Sequence, residues 1–135
     1  MRFPSLDEVI ACNEAVRDPD ELSPTAEDDD LDRVERALER ARAETDPIDA
    51  AAALAFAIAA AQGFYEGNKR TALIISRWFL RENTDLDPAV IIPDADLEFG
   101  ALLIKAARGA DTFEAITALH ADYLLTASEE RLVRS

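Results

Sequence analysis

Gln62-Gly63-Phe64-Tyr65-Glu66-Gly67-Asn68-Lys69-Arg70-Thr71-Ala72 is the stretch on which the reading of this chain turns. It lies between two apolar runs at helical spacing, Ala50–Ala61 and Ala72–Leu80. Gly63 and Gly67 bracket a short loop, because glycine reaches backbone angles that other residues avoid. The second run is predicted to start at about Asn68, a residue type preferred at helix N-caps. A loop therefore feeds directly into a helix N-terminus, and that terminus carries Lys69 and Arg70.

A helix start behaves as a partial positive charge and disfavours cations. The chain holds 28 acidic residues against 14 basic ones, and only two of the basic ones are lysines. It nevertheless puts a Lys–Arg pair on the unfavourable helix end. An anion there would account for the placement, since free backbone N–H groups and the helix dipole form a phosphate-type cradle. Arg70 would grip two oxygens as a fork and Lys69 would add a point charge. Glu66 would offer one carboxylate to Mg²⁺, which completes its shell with phosphates and water. A plain helix–loop–helix corner with exposed cations fits the same residues, and physics alone leaves both readings open.

The stretch resembles the signature of the Fic/Doc (Fido) family, His-x-Phe-x-Asp/Glu-Gly-Asn-Lys/Gly-Arg. Phe64, Glu66, Gly67, Asn68, Lys69 and Arg70 match it, six typed positions within the nine residues Gln62–Arg70. The family's histidine is Gln62 here. Lys69 and the continuation Thr71-Ala72-Leu73 are similar to the Doc branch, whose members resemble toxins of toxin–antitoxin pairs. Ser5–Glu14 is similar to the opening phrase of that branch, with Asn13 where a histidine is common.

The resemblance implies an all-α fold, a compact Fido core of about six helices spanning residues 1–127. It implies ATP and Mg²⁺ as cofactors and transfer of a phosphoryl or AMP group to a protein hydroxyl. The implied roles are Phe64 as loop anchor, Glu66 for the metal, and Gly67, Asn68, Lys69 and Arg70 for the phosphates. Gln62 stands at the position of the catalytic base, with Arg70 as the second catalytic position. The implied partners are an antitoxin and a protein substrate such as a translation elongation factor, in the cytoplasm. A side-chain amide cannot take up a proton at neutral pH, so the expected protein is a weakened transferase or, alternatively, an inactive module that binds a nucleotide or a partner. The family's flap hairpin is expected to be shortened or absent, because only Glu44-Thr45-Asp46 separates two predicted helices.

Composition sets the outer bounds. With 135 residues, 49% of them hydrophobic, one domain with a real core is expected. No run approaches the ~20 apolar residues of a membrane span, and no secretory leader pattern is visible. Cys12 is the only cysteine, so no intrachain disulfide can form. A net charge of −14 argues against nucleic acid as a partner, since that needs a basic footprint. The same charge suits a salty cytoplasm or an ordinary acidic protein.

Outward from the signature, Ser5-Leu6-Asp7-Glu8 is a capping-box pattern that opens a helix to about Val16, with Leu6, Val9, Ile10 and Ala15 available for burial. Arg17–Asp30 reads as an acidic loop, and Asp28-Asp29-Asp30 as a solvated helix start rather than a metal cluster. Leu31–Ala43 has helical periodicity. Asp46 caps the next helix, with Pro47 at its first position. The helix Asn68–Arg81, which carries Ile74, Ile75, Trp78 and Phe79, is the expected centre of the core. A short strand is expected near Val90–Ile92. A helix from Asp94 or Asp96 to Ala107, closed by Gly109, and another from Asp111 to about Ala127 follow, with residues 128–135 as a disordered tail. His120, the only histidine, reads as a core residue, with replacement of the missing base as the rarer alternative.

Overall fold

The computed structural model describes residues 1–17, 29–88, 97–109 and 112–134. Those residues form six helices and no strand: α1 (Leu6–Val16), α2 (Leu31–Arg42), α3 (Pro47–Ala61), α4 (Asn68–Asn83), α5 (Leu97–Ala107) and α6 (Phe113–Arg134). The all-α expectation holds. The strand expected at Val90–Ile92, the helix starts expected at Asp94, Asp96 and Asp111, and most of the acidic loop before Asp29 lie outside the described residues.

Helix α3 is the centre, packed against α2, α4, α5 and α6. Every residue from Ala50 to Ala59 on it is buried. This corrects the expectation that Asn68–Arg81 would be the core centre. Alanine holds no neighbour at arm's length, so four helices close in on α3, and a helix apolar on all sides has to be covered on all sides. Helix α4, richer in large side chains, buries Ala72, Ile75, Phe79 and Leu80 on one face and leaves Ile74 exposed on the other. Trp78 is partly buried against the core, with the Arg2 guanidinium 5.1 Å from its ring centroid.

The capping residues act as their types predict. Ser5 Oγ accepts from the Glu8 N–H (3.1 Å) and the Glu8 carboxylate accepts from the Ser5 N–H (3.1 Å), completing the box on α1. On α1, Val9 is buried as expected and Ala15 is exposed. Asp30 accepts from the Arg33 N–H at the start of α2 (3.2 Å). Asp46 accepts from the N–H groups of Ile48 (2.9 Å) and Asp49 (3.2 Å), with Pro47 at the first position of α3. Thr112 Oγ1 accepts from the Ala115 N–H at the start of α6 (3.3 Å). Gly109 follows α5 with φ 66°, a left-handed stop of the kind expected.

Helix α2 runs into α3 through residues 43–46, with no room for a hairpin between them. Past the expected boundary at Ala127 the backbone stays helical to Arg134. His120 is fully buried, its ring 4.6 Å from that of Phe56 in an edge-on contact and 4.4 Å from that of Phe99. It is a core residue between α3 and α5, away from the signature loop. No helix among the described residues is long and apolar enough to cross a membrane.

Candidate functional site

The loop between α3 and α4 is fixed at several points. Phe64, within the loop, is buried in the core. The Gly63 carbonyl accepts from the Asp30 N–H (2.6 Å). A Cβ at position 63 would lie 2.5 Å from Val34 Cγ2 and 2.9 Å from the Asp30 carbonyl oxygen, so the glycine is there for close approach to α2. Gly67 has φ 78°, a left-handed conformation that favours glycine, and it is the N-cap of α4.

Asn68 is therefore the first helical residue and not the cap expected from its type. Its buried side chain turns back on the loop instead. Oδ1 accepts from the Phe64 N–H (3.1 Å) and Nδ2 donates to the Phe64 carbonyl (2.8 Å). With both backbone groups of Phe64 to satisfy inside the core, the amide closes the loop on itself rather than capping the helix.

No side chain caps α4. The first backbone bond of that helix runs from the Thr71 N–H to the Gly67 carbonyl (2.9 Å), so the N–H groups of Asn68, Lys69 and Arg70 precede the helical ladder. The first turn contains no acidic residue. Lys69 and Arg70 are exposed, and neither forms an ion pair among the described residues.

These groups open onto a cleft of about 530 Å³. Gln62, Tyr65 and Glu66 line one part of it, Gly67 to Arg70 another, and Val16 from the end of α1 contributes the apolar side. The structure thus brings all the signature positions except the buried Gly63 and Phe64 to one concavity. Gln62 ends α3 in a left-handed conformation (φ 51°), and its Nε2 donates to the Ala59 carbonyl (2.7 Å). It is the sole non-glycine residue with positive φ among the described residues.

A second, larger groove of about 860 Å³ lies among α2, α3, α5 and α6, with an alanine floor and Arg33, Arg36 and Arg40 at its rim. It contains none of the signature residues.

Three residues that the sequence left in other roles support the loop. Asn13 is buried; its Nδ2 donates to the Glu66 carbonyl (2.8 Å) and to Thr71 Oγ1 (3.2 Å), and its Oδ1 accepts from Arg17 Nε (2.6 Å). Arg17 then pairs with the Asp29 carboxylate (2.5 Å), the two side chains only 12% and 6% exposed. Asp29 Oδ1 also accepts from the Tyr65 N–H (2.8 Å). The Arg17 guanidinium lies 5.9 Å from the Phe64 ring centroid. Asp29 is thus a buried partner of Arg17 and not the solvated helix-start residue expected of it. The spacing of Asn13 and Arg17, one helical turn apart at the end of α1, was the one local signal.

No group of three His, Cys, Asp or Glu side chains among the described residues is arranged to hold a metal. Glu66, partly exposed at the cleft, is a single carboxylate, which suits an Mg²⁺ ion shared with phosphates and water and not a protein-only cage.

No curated protein matches the chain. A family model described as the Fic/DOC family matches residues 10–80, from the middle of α1 through the signature loop and into α4. That match covers more than half of the chain and contains every residue of the cleft, and the protein belongs to the Fic/DOC family.

Proposed function

We propose that this protein is a Doc-like member of its family, which binds ATP with Mg²⁺ at the start of α4 and transfers a phosphoryl or AMP group to a protein hydroxyl at a reduced rate. Fic/DOC proteins are generally enzymes that transfer nucleotide-derived groups to proteins. The observation that carries the reading is the uncapped start of α4, with no acidic residue and two exposed cations that form no ion pair among the described residues. A helix dipole and unused N–H groups favour a phosphate there. Arg70 supplies a two-pronged donor and Lys69 a point charge. Bound Mg²⁺, held by Glu66, would neutralise phosphate charge. Lys69 in place of glycine favours phosphoryl transfer in the manner of the Doc branch. The partners proposed with that branch are an elongation factor as substrate and an antitoxin, in the cytoplasm.

The weak element is Gln62. Its amide cannot accept the proton of an attacking hydroxyl, and it already donates to its own helix. Losing a general base typically costs ~10²–10⁴ in rate. Phosphoryl transfer relies mainly on positioning and charge neutralisation, so a slow reaction survives that loss. The engaged Gln62 amide also favours a second reading, a module that holds the nucleotide without turnover.

Calorimetric titration with ATP and Mg²⁺ tests the site. Wild type is expected to bind and Arg70→Ala to lose most of the affinity; equal signals from both would remove the phosphate cradle. Gln62→His separates the two readings. Its imidazole, with an ordinary pKa near ~6.5, is suited to act as base at neutral pH. Transfer of label to an elongation factor, from ATP labelled at the γ-phosphate or, for AMP transfer, at the α-phosphate, is expected to rise by about 10² or more. An inert variant that still binds ATP supports the binding module.

A further inference from the structure

We infer that Asn13, Arg17 and Asp29 form a positioning strap that holds the signature loop in its anion-receiving shape. The inference rests on the proposed nucleotide site and concerns how that site is kept in form.

The strap spans three separate parts of the chain. It starts at Thr71 in the first turns of α4, passes through Asn13 on α1 and Arg17 at its C-cap, and ends at Asp29 just before α2. Two of its contacts fall on loop backbone, at the Glu66 carbonyl and the Tyr65 N–H. A trans peptide is planar, with its C=O and N–H pointing opposite ways. Holding the Glu66 carbonyl on Asn13 therefore turns the Gly67 N–H away from Asn13. Holding the Tyr65 N–H on Asp29 turns the Phe64 carbonyl the other way, onto the Asn68 amide that receives it. Two of the three peptide planes between Phe64 and Gly67 are thus set from α1 and from the α2 entry. The next residue opens the helix that faces the cleft.

The polarity of the strap is itself informative. A buried ion pair is costly to assemble and is often matched in stability by apolar residues of the same size. A strap of leucines would fill the space between α1 and α2 without ordering any backbone donor or acceptor. Charged groups with directional bonds give orientation, which is what a phosphate cradle requires of its amides. Gly67 shows how closely the parts fit: a Cβ there would lie 3.1 Å from Asn13 Nδ2 and 3.2 Å from Val16 Cγ2. The loop is seated on α1, and α1 is tied to Asp29.

The test compares wild type, Asp29→Ala, Asp29→Asn and Leu124→Ala in two measurements: ATP affinity with Mg²⁺ by calorimetry, and hydrogen exchange at the Tyr65 amide. Leu124 is a buried α6 residue in a helix that packs on α3 and α5, away from the strap. Asp29→Ala leaves the Tyr65 N–H and the Arg17 guanidinium without their partner, so affinity is expected to fall about tenfold or more and Tyr65 exchange to accelerate. Asp29→Asn keeps an acceptor for Tyr65 and gives up the charge, and it is expected to recover much of the protection and part of the affinity. Leu124→Ala is expected to lower the Tm while leaving both readouts in place. The strap is overturned if Asp29→Ala binds ATP like wild type, or if affinity simply follows the Tm across all variants. Absence of ATP binding by wild type would instead sink the proposed nucleotide site. In that event Tyr65 exchange still decides the strap, and equal protection in wild type and Asp29→Ala overturns it.

Discussion

Helices α3 and α4 follow one another in the chain, pack together, and begin in opposite ways. The start of α3 is saturated with negative charge. Asp46 accepts two of its first N–H groups, Pro47 removes a donor, and Asp49 lies in its first turn. Burial pushes the Asp49 carboxyl up from its ordinary value, and the charges of Asp46 and Asp122 add to the shift. The start of α4 has no side-chain cap, no acidic residue, and two exposed cations. In a chain with twice as many acids as bases, leaving this one end without an acid is a departure from its own habit. Capping satisfies the first N–H groups of α3 from within the chain, whereas those of α4 are left for the proposed phosphate.

The comparison breaks first at Gly67, where the largest effect is expected. Gly67→Asp tries to give α4 the carboxylate cap that α3 already has. The left-handed backbone disfavours most side chains by about 1–2 kcal/mol and Asp by less, and crowding against Asn13 and Val16 adds about 1–3 kcal/mol. A cap returns only about 1 kcal/mol. Urea denaturation should therefore show a net loss of stability, together with loss of ATP binding. A variant as stable as wild type would mean that packing does not forbid a cap on α4.

A smaller and sharper contrast comes from removing charge at each end. Asp46→Ala should cost about 1 kcal/mol, because two N–H groups on α3 lose their acceptor. Lys69→Ala should have the opposite sign. In dilute, anion-free buffer it should stabilise by about 0.3–1 kcal/mol, since a cation leaves the positive end of a dipole. Added phosphate should erase that gain by stabilising wild type more than the variant. Thermal melts with and without phosphate would decide; a destabilised Lys69→Ala in both buffers would mean that the lysine serves the fold and not an anion.

What was legible in advance follows the reach of the interactions. Capping by Ser5 and Asp46 involves groups two or three residues apart, so residue type and spacing determine it almost alone. The same holds for the glycine-bracketed loop and for cations at the start of the following helix. Family membership rode on that local signature. Asn68 shows where local reasoning fails: its type predicts a cap, but the buried backbone of Phe64 claimed its amide first.

Only the tertiary structure decided which helix is central and what supports the loop. Leu, Ile, Trp and Phe made α4 look like the core, yet the alanines of α3 allow four neighbours to approach, and close approach is a property of the assembled layers. Asn13 meets Glu66 and Thr71 across more than fifty residues of sequence. Arg17 reads as an exposed charge until Asp29 and Phe64 are brought around it. The sequence by itself determined where α1 and α3 begin and that the start of α4 carries two cations and no acid. Folding decided how the loop ahead of that helix is held, because a hydrogen bond between distant residues exists only after the chain has paid the entropy of bringing them together.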